Sequence, residues 1–296
     1  MNYYNEIKNQ LINNEVTKRV KDYSKNKSDL TTYYNVGKML AEAGKHYGEG
    51  IIKEYSKKLS IELNSNYSCR TLYKMIKFYN YINTKKVPTL SAILSWSHYD
   101  ELLKLNNDQE ISYYIRIIEQ NNLSVRQLRQ KIKNKEYERL DEETKNKIIK
   151  NEPTTLIDNV KNPLLIHNKN NYNLISEKVL QKIILEDIPT FLEELGNGFS
   201  FIKNEYKIKI ENTYNYIDLL LYNINYNCYV IIELKITELK KEHIGQIQVY
   251  MNYIDNNLRT INQDKTIGII ICKKDNKYII EYCSDPRIIS REYKIE

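Results

Sequence analysis

The sequence has few of the residues from which thiolate and imidazole metal sites are built. Its 296 residues include four cysteines and four histidines. Cys69, Cys228, Cys272 and Cys283 form no C-x-x-C pair, which argues against a zinc site. Three of them lie in or beside apolar strand-like runs, where a thiol acts as a small hydrophobe. That usage suits a reducing compartment. Long hydrophobic runs are missing as well. No stretch approaches the roughly 20 apolar residues of a membrane span, and MNYYNEIKNQ has no apolar core of a signal peptide. The expected location is cytoplasmic, without a membrane partner.

Hydrophobic residues make up 41% and charged residues 28%, a composition that belongs to a globular chain rather than a disordered one. The length suffices for two domains. The net charge of +7 is unevenly spread. Residues 1–150 hold 27 Lys and Arg against 18 Asp and Glu, and residues 151–296 hold 18 against 20. The basic half suits a polyanion, and the near-neutral half could gather carboxylates. The 27 tyrosines accompany abundant Asn, Lys and Ile. That set matches A/T-rich codons, so the tyrosine count is no evidence of binding.

Residues 1–140 read as a basic helical domain. In DLTTYYNVGKMLAEAG, Leu30, Tyr33, Tyr34, Gly37, Leu40 and Ala41 follow the helical period, with Gly44 as the expected C-cap. IIKEYSKKLSIEL repeats Ile51, Tyr55, Leu59 and Leu63 at four-residue spacing. After a polar turn, Ser68 is a candidate N-cap for SCRTLYKMIKFYNYI. Helix, turn and a second helix carrying Arg70, Lys74 and Lys77 resemble a helix-turn-helix arrangement, a pattern shared by many helical pairs. Ser124 and Gln127 form a capping box at the head of SVRQLRQKIKNKEYERL. Its Arg126, Arg129, Lys131, Lys133 and Lys135 are spread around the helix, as on a solvated surface. Arg70, Lys74, Lys77, Arg126 and Arg129 are the candidate nucleic-acid contacts.

Residues 141–170 are charged, proline-bearing and weakly periodic, and read as a linker. From 171 the pattern changes. Ser176 can cap a helix with Val179, Leu180, Ile183, Ile184 and Ile188 on its apolar side, and Pro189 interrupts it or starts a new turn. FLEELGNG ends at Gly196 or Gly198. EYKIKIE alternates as a half-buried strand. YIDLLLYN and CYVIIELKI are two further strands, joined through NINYN as a hairpin. KKEHIGQIQVYMNYIDNN is a helix with Ile244, Ile247, Met251 and Ile254 on one side. TIGIIIC is a buried strand, and KYIIEYC is expected to be another. An antiparallel meander followed by a helical crossover into a parallel strand makes a mixed α/β sheet over 171–296.

Two strands carry charges out of place. In YVIIELKI, Glu233 and Lys235 point to one face, with Leu234 and Ile236 on the other. In YIDLLLY, Asp218 shares a face with Tyr216 and Leu220 and interrupts an apolar run where Asp is disfavoured. A hairpin centred in NINYN sets Asp218 opposite Glu233, roughly 5 Å apart at Cβ. Two like charges so placed are destabilising unless something neutralises them, and a divalent cation does so. Carboxylate oxygens with open water positions suit Mg²⁺. Lys235 lies one same-face step beyond Glu233, roughly 7 Å along the strand. From there an ammonium can hold the attacking water and balance charge on a phosphate. The bland alternative is a solvent-facing cluster worth about 0–1 kcal/mol.

At these residues the chain resembles the YhcG-type nucleases of the PDDEXK superfamily. The resemblance runs through FLEELGNGFSFI, YIDLLLYN, CYVIIELKI, EHIGQ and TIGIIICK. In the first half it runs through GEGIIKEYSKKL, SCRTLYKMIKFY and LSWSHYDELL. It implies an all-helical N-terminal domain followed by a restriction-endonuclease-like αβββαβ domain with a mixed sheet. It also implies that Asp218 and Glu233 bind Mg²⁺ or Mn²⁺, that Lys235 is the catalytic lysine, and that Gln246 assists. Glu242 matches a further polar position without a clear role. The glutamate such enzymes draw from the first helix falls near Gln181 here, a departure for which Glu177, one turn earlier, can substitute. Asn204 and Glu205 stand where the family has an arginine or glutamine. Trp96 and His98 match a family segment and read as helix-packing and capping residues.

Three functions follow as expectations. The first is a metal-dependent nuclease whose partner is nucleic acid, DNA being the expected one. The second is a nucleic-acid-binding protein with an inactive nuclease fold, favoured by Gln181. The third is a helical interaction module, with self-association left open.

Overall fold

The computed structural model describes residues 3–20, 25–48, 50–85, 93–150, 152–282 and 285–296. Cys283 lies outside them. The chain forms two compact units, Met1–Tyr137 and Glu138–Glu296.

The first unit is helical among its described residues: α1 (Tyr3–Val20), α2 (Lys25–Tyr47), α3 (Gly50–Glu62), α4 (Cys69–Lys85), α5 (Trp96–Leu102), α6 (Asp108–Asn121) and α7 (Val125–Lys133). Ile7 and Leu11 of α1, Val36 and Leu40 of α2, Leu59 of α3 and Leu72 and Met75 of α4 share one core. The approach of α2 to α4 is set by Gly37, where a Cβ would lie 2.1 Å from the Met75 carbonyl oxygen. Ser68 caps α4 by accepting from Thr71 N–H at 3.2 Å, and the Ser124–Gln127 capping box opens α7.

The expected stop at Gly44 is overturned. The helix runs on to Tyr47 and ends at Gly48, whose φ of +78° and N–H to the Gly44 carbonyl close the last turn. A glycine without the left-handed conformation does not stop a helix.

Trp96 packs its ring against Tyr33 and Phe78. His98 caps α5: its Nδ1 accepts from Ser95 N–H at 3.0 Å, and its Nε2 lies 2.9 Å from the Leu123 carbonyl.

The second unit holds α8 (Glu142–Ile149), β1 (Leu164–Ile166), α9 (Glu177–Glu186), α10 (Ile188–Leu195), β2 (Phe199–Ile210), β3 (Thr213–Asn223), β4 (Cys228–Glu238), α11 (Lys241–Asn257), β5 (Ile267–Lys274), α12 (Lys277–Glu281) and β6 (Ile288–Ile295). The six strands form one sheet in the order β1-β6-β5-β4-β3-β2. β2, β3 and β4 are antiparallel, and β4, β5, β6 and β1 are parallel.

Helices cover both faces. Leu219, Leu221, Val230, Ile232, Leu234, Ile269 and Ile271 meet α9 and α10 through Leu180, Ile183, Ile184, Phe191 and Leu195. Leu220, Ile231, Ile270 and Cys272 meet α11 through Ile247, Met251 and Ile254. Strands buried on both sides read as continuous apolar runs, and this is why VIIELKI and IGIIIC stand out in the sequence.

Two readings of this half change. The strand expected over KYIIEYC is a helix, α12, over its described residues, and the last strand is IISREYKI. A short apolar run does not by itself separate helix from strand. The segment 141–170, read as a linker, carries α8 and the sheet strand β1. It is tied to β6 by Arg291, whose buried guanidinium donates to the Val160 and Ile157 carbonyls and to Asp141.

A second polar tie holds the end of α11. Asp255, buried, accepts from Thr266 N–H at 2.9 Å, Thr266 Oγ1 at 2.7 Å and Arg287 Nη1 at 2.9 Å. Burial opposes its charge, but these donors outweigh burial and hold the carboxyl below its usual value. The stability this contributes is therefore present above the ordinary Asp value, about 4, and is lost as pH falls through the depressed folded value. Asp255→Asn is expected to cost about 2–4 kcal/mol at pH 7 in urea unfolding, with the gap to wild type closing under acid. A gap independent of pH would show that the charge is not what is used.

Candidate active site

The site grows from the place where the β3–β4 ladder stops. The hairpin pairs Asn223 with Cys228 and runs inward to Leu219 opposite Ile232. Continued by one pair, this register sets Asp218 against Glu233, the arrangement expected from the hairpin centre. The ladder does not continue. The next β4 amide in need of a partner, Leu234 N–H, donates instead to Asp218 Oδ2 at 2.8 Å. The Asp218 carbonyl, freed from the sheet, accepts from Gln181 Nε2 at 3.0 Å.

The strand pleat reverses at the same point. Ile217 and Leu220 both join the α11-side core, whereas Leu219 joins the other. Across β2, Glu205 carries a φ of +45°, a backbone state uncommon outside glycine. The single face expected for Tyr216, Asp218 and Leu220 is thus broken by a kink that aims the Asp218 carboxylate at the β4 backbone.

Glu233 has the opposite character. It sits in regular strand, between Ile232 and Leu234, and is 2% exposed. Its Oε1 accepts from Lys235 Nζ at 2.8 Å. Its Oε2 is buried with no hydrogen-bond partner. Burial, followed by the charge of Asp218, pushes the Glu233 carboxyl up to about 7 against the pull of Lys235. Asp218 is likewise raised, by burial first, while the Leu234 amide and Lys235 work the other way. Lys235 loses basicity to burial but regains more from Glu233, so it stays an ammonium. One lysine thus faces two buried carboxylates and does not satisfy both.

Helices bring further groups to this cluster. Glu177, in the first turn of α9, adds negative charge that both acids feel. Gln181, one turn on, is buried against the Asp218 carbonyl. From α11, Gln246 Nε2 donates to Tyr250 Oη at 3.0 Å, and burial together with the Glu233 charge raises the Tyr250 phenol. Sequence reading missed Tyr250. Its signal was the four-residue spacing to Gln246, which puts both on one helix face. Glu242 is exposed in the first turn of α11.

Among the described residues no three His, Cys, Asp or Glu side chains gather into a protein-only metal cage. Mg²⁺ does not need one, since it is commonly held by one or two carboxylates with waters and substrate phosphates. The unpartnered Glu233 oxygen beside Asp218 fits that role.

The candidate nucleic-acid contacts of the helical unit are less free than their charge suggests. Lys74 pairs with Asp100, Lys77 donates to the Leu103 carbonyl, and Arg129 Nε donates to Glu101 Oε1 at 2.7 Å. Arg70 and Arg126 are exposed. No helix among the described residues is long and apolar enough to cross a membrane.

With this geometry in hand, comparison with known proteins is informative. Residues 158–294 match the family model of the YhcG PDDEXK nuclease domain, and residues 7–139 that of the DUF1016 N-terminal domain. An Escherichia coli (strain K12) protein named "Putative nuclease YhcG" is 23% identical over 310 residues, spanning 90% of this chain and 83% of that one. Among solved structures, a repair endonuclease from Pyrococcus abyssi aligns at 16% identity and a TM-score of 0.29, over 43% of this chain and 49% of that one. EndoMS in complex with double-stranded DNA aligns at 18% and 0.29, over 43% and 47%. The chain spans about half the length of these solved proteins.

The conflict between the two acids has a measurable consequence. With divalent cations chelated at pH 8, Glu233→Gln removes a buried charge facing Asp218 and is expected to melt about 2–4 °C above the wild type. A lower melting temperature would mean that the ion pair with Lys235 outweighs the repulsion.

Proposed function

We propose, from the premise that the chain belongs to the family of two-domain YhcG-type PDDEXK nucleases, that it hydrolyses phosphodiester bonds in DNA at the end of β4. In this reading Asp218 and Glu233 hold Mg²⁺ or Mn²⁺, and Lys235 assists the attacking water. The observation that carries it is the Glu233 Oε2 atom, buried beside a second acid with no partner of its own. Burying a carboxylate in an apolar strand costs stability, and a ligand role explains why the cost is tolerated. When bound, the cation neutralises phosphoryl charge and lowers the pKa of water.

The chain's own groups supply the rest. Lys235, kept as an ammonium 2.8 Å from Glu233 Oε1, donates a hydrogen bond to the attacking water. It also offsets the charge that builds on the phosphoryl oxygens. Burial and the charge of Asp218 push the Glu233 carboxyl up to about 7, and a cation held there would keep both acids ionised. Gln246 and Tyr250 line the α11 side and hold substrate through hydrogen bonds. Glu177 supplies a further carboxylate from α9, while Gln181 fixes the backbone of Asp218 rather than binding metal.

A second reading has one observation in its favour. With Gln181 standing where an acid is expected on α9, the site has one carboxylate fewer, and the chain would bind nucleic acid without cutting it. One pair of assays separates the two. Purified chain is expected to cut DNA with Mg²⁺ or Mn²⁺ and to stop with chelator. Lys235→Ala is expected to slow cutting by about 100-fold or more while leaving DNA affinity within about threefold. Cutting by the alanine variant at the wild-type rate would refute the assigned mechanism.

The helical unit is proposed to add sequence-independent affinity through Arg70, Arg126 and neighbouring cations. Log affinity should then fall with log salt, and a flat response would remove that role.

A further inference from the structure

Beyond the site, the β2–β3 hairpin continues outward as a two-stranded ribbon at the sheet edge. Its two faces differ. Tyr206, Ile208 and Ile210 of β2 and Ile217 of β3 turn inward, with Ile208 1% and Ile217 0% exposed in the α11-side core. The ribbon is therefore anchored rather than loose.

The outer face carries cations and rings. The register pairs Lys207 with Tyr216 and Lys209 with Tyr214. Tyr214 and Tyr216 are each 52% exposed, and both lysines are exposed. Lys207 Nζ lies 3.7 Å from the centre of the Tyr214 ring. Tyr216 is two residues from Asp218 along β3, so the row ends at the kink that holds the proposed site.

Half-exposed phenol rings on a fixed strand offer an open, ordered face to a flat apolar partner. The lysines beside them select an anion. A nucleic-acid strand offers both, with bases to stack on the phenols and phosphates for the ammoniums. The same-face step of the ribbon, roughly 7 Å, is close to the spacing of successive nucleotides in an extended strand. Stacking on side chains requires unpaired bases, since a duplex keeps its base faces covered.

We propose that the outer face of the β2–β3 ribbon, through Tyr214, Tyr216, Lys207 and Lys209, binds a single-stranded stretch of DNA and leads it to the cluster at Asp218. This rests on the nuclease reading for its purpose but not for its test. Binding is measured in chelator, where no cutting occurs, with the full chain and a fluorescein-labelled 12-nucleotide oligodeoxynucleotide, and with a blunt duplex of the same sequence.

Tyr214→Ala/Tyr216→Ala is expected to weaken single-strand binding on the order of 10-fold per ring, with the duplex changed less than about twofold. Tyr214→Phe/Tyr216→Phe keeps the rings and is expected to restore wild-type affinity. Lys207→Ala/Lys209→Ala is expected to flatten the salt slope by about 1 to 1.5. Single-strand affinity unchanged in the double alanine variant, or lost equally for the duplex, would overturn the proposal. A wild-type chain that cuts no DNA would count against the nuclease reading alone, because the binding comparison would still stand.

Discussion

Glu233 is an acid placed in the middle of a strand whose neighbours on both sides are core. Its immediate companions, Ile232 and Leu234, pack under α9 and α10, and Ile231 packs under α11. A lone carboxylate there would be protonated or would drive the strand open. Lys235 opposes both by supplying charge from the next same-face position, but burial and Asp218 outweigh it, and it reaches only one of the two carboxylate oxygens. The second oxygen is buried without a hydrogen-bond partner, in a cluster where the charge of Asp218 is also felt. A fully satisfied ion pair would have been a structural element; the half-satisfied one leaves a carboxylate oxygen open, and the proposed cation role rests on it.

The fold supplies this arrangement by stopping a ladder at a chosen residue. β3 and β4 pair from the hairpin inward and part after Leu219 and Ile232. The parting is not fraying, because both freed groups of Asp218 are reused. Its carboxylate takes the Leu234 amide, and its carbonyl takes the Gln181 amide. The helix position where an acid was expected thus works on the backbone of the first acid. Glu177, one turn earlier, adds its charge to the same cluster.

Much of this was legible in the sequence because hairpin register is arithmetic. Asp218 and Glu233 are equidistant from NINYN, and no side chain needs to be placed to see it. What was not legible depends on contacts distant in sequence. The pleat reversal at Asp218 coincides with a left-handed residue, Glu205, on the neighbouring strand β2. KYIIE and IISREYKI each hold an isoleucine pair among mostly polar residues, and the second becomes a strand by pairing with β5 and β1. β1, three residues long, becomes a strand only because β6 is there to pair with it. Gly44 and Gly48 illustrate the same limit at short range: both are candidate stops, and only the one that adopts positive φ acts as one.

The charge asymmetry of the chain also changes meaning once partners are known. The first half is basic by count, yet Lys74, Lys77 and Arg129 are engaged by Asp100, the Leu103 carbonyl and Glu101. Such pairing leaves the formal total unchanged but removes these side chains as free local contacts for a polyanion. The second half is near neutral by count, yet its carboxylates are drawn inward at Asp218, Glu233 and Asp255, and Lys207 and Lys209 stand outward on a fixed ribbon. Net charge per domain therefore misjudges where a phosphate backbone is drawn. The local sign is set by which charges the fold has already used: Lys207 and Lys209 stay exposed on the ribbon, while Lys74 and Arg129 are paired with acids.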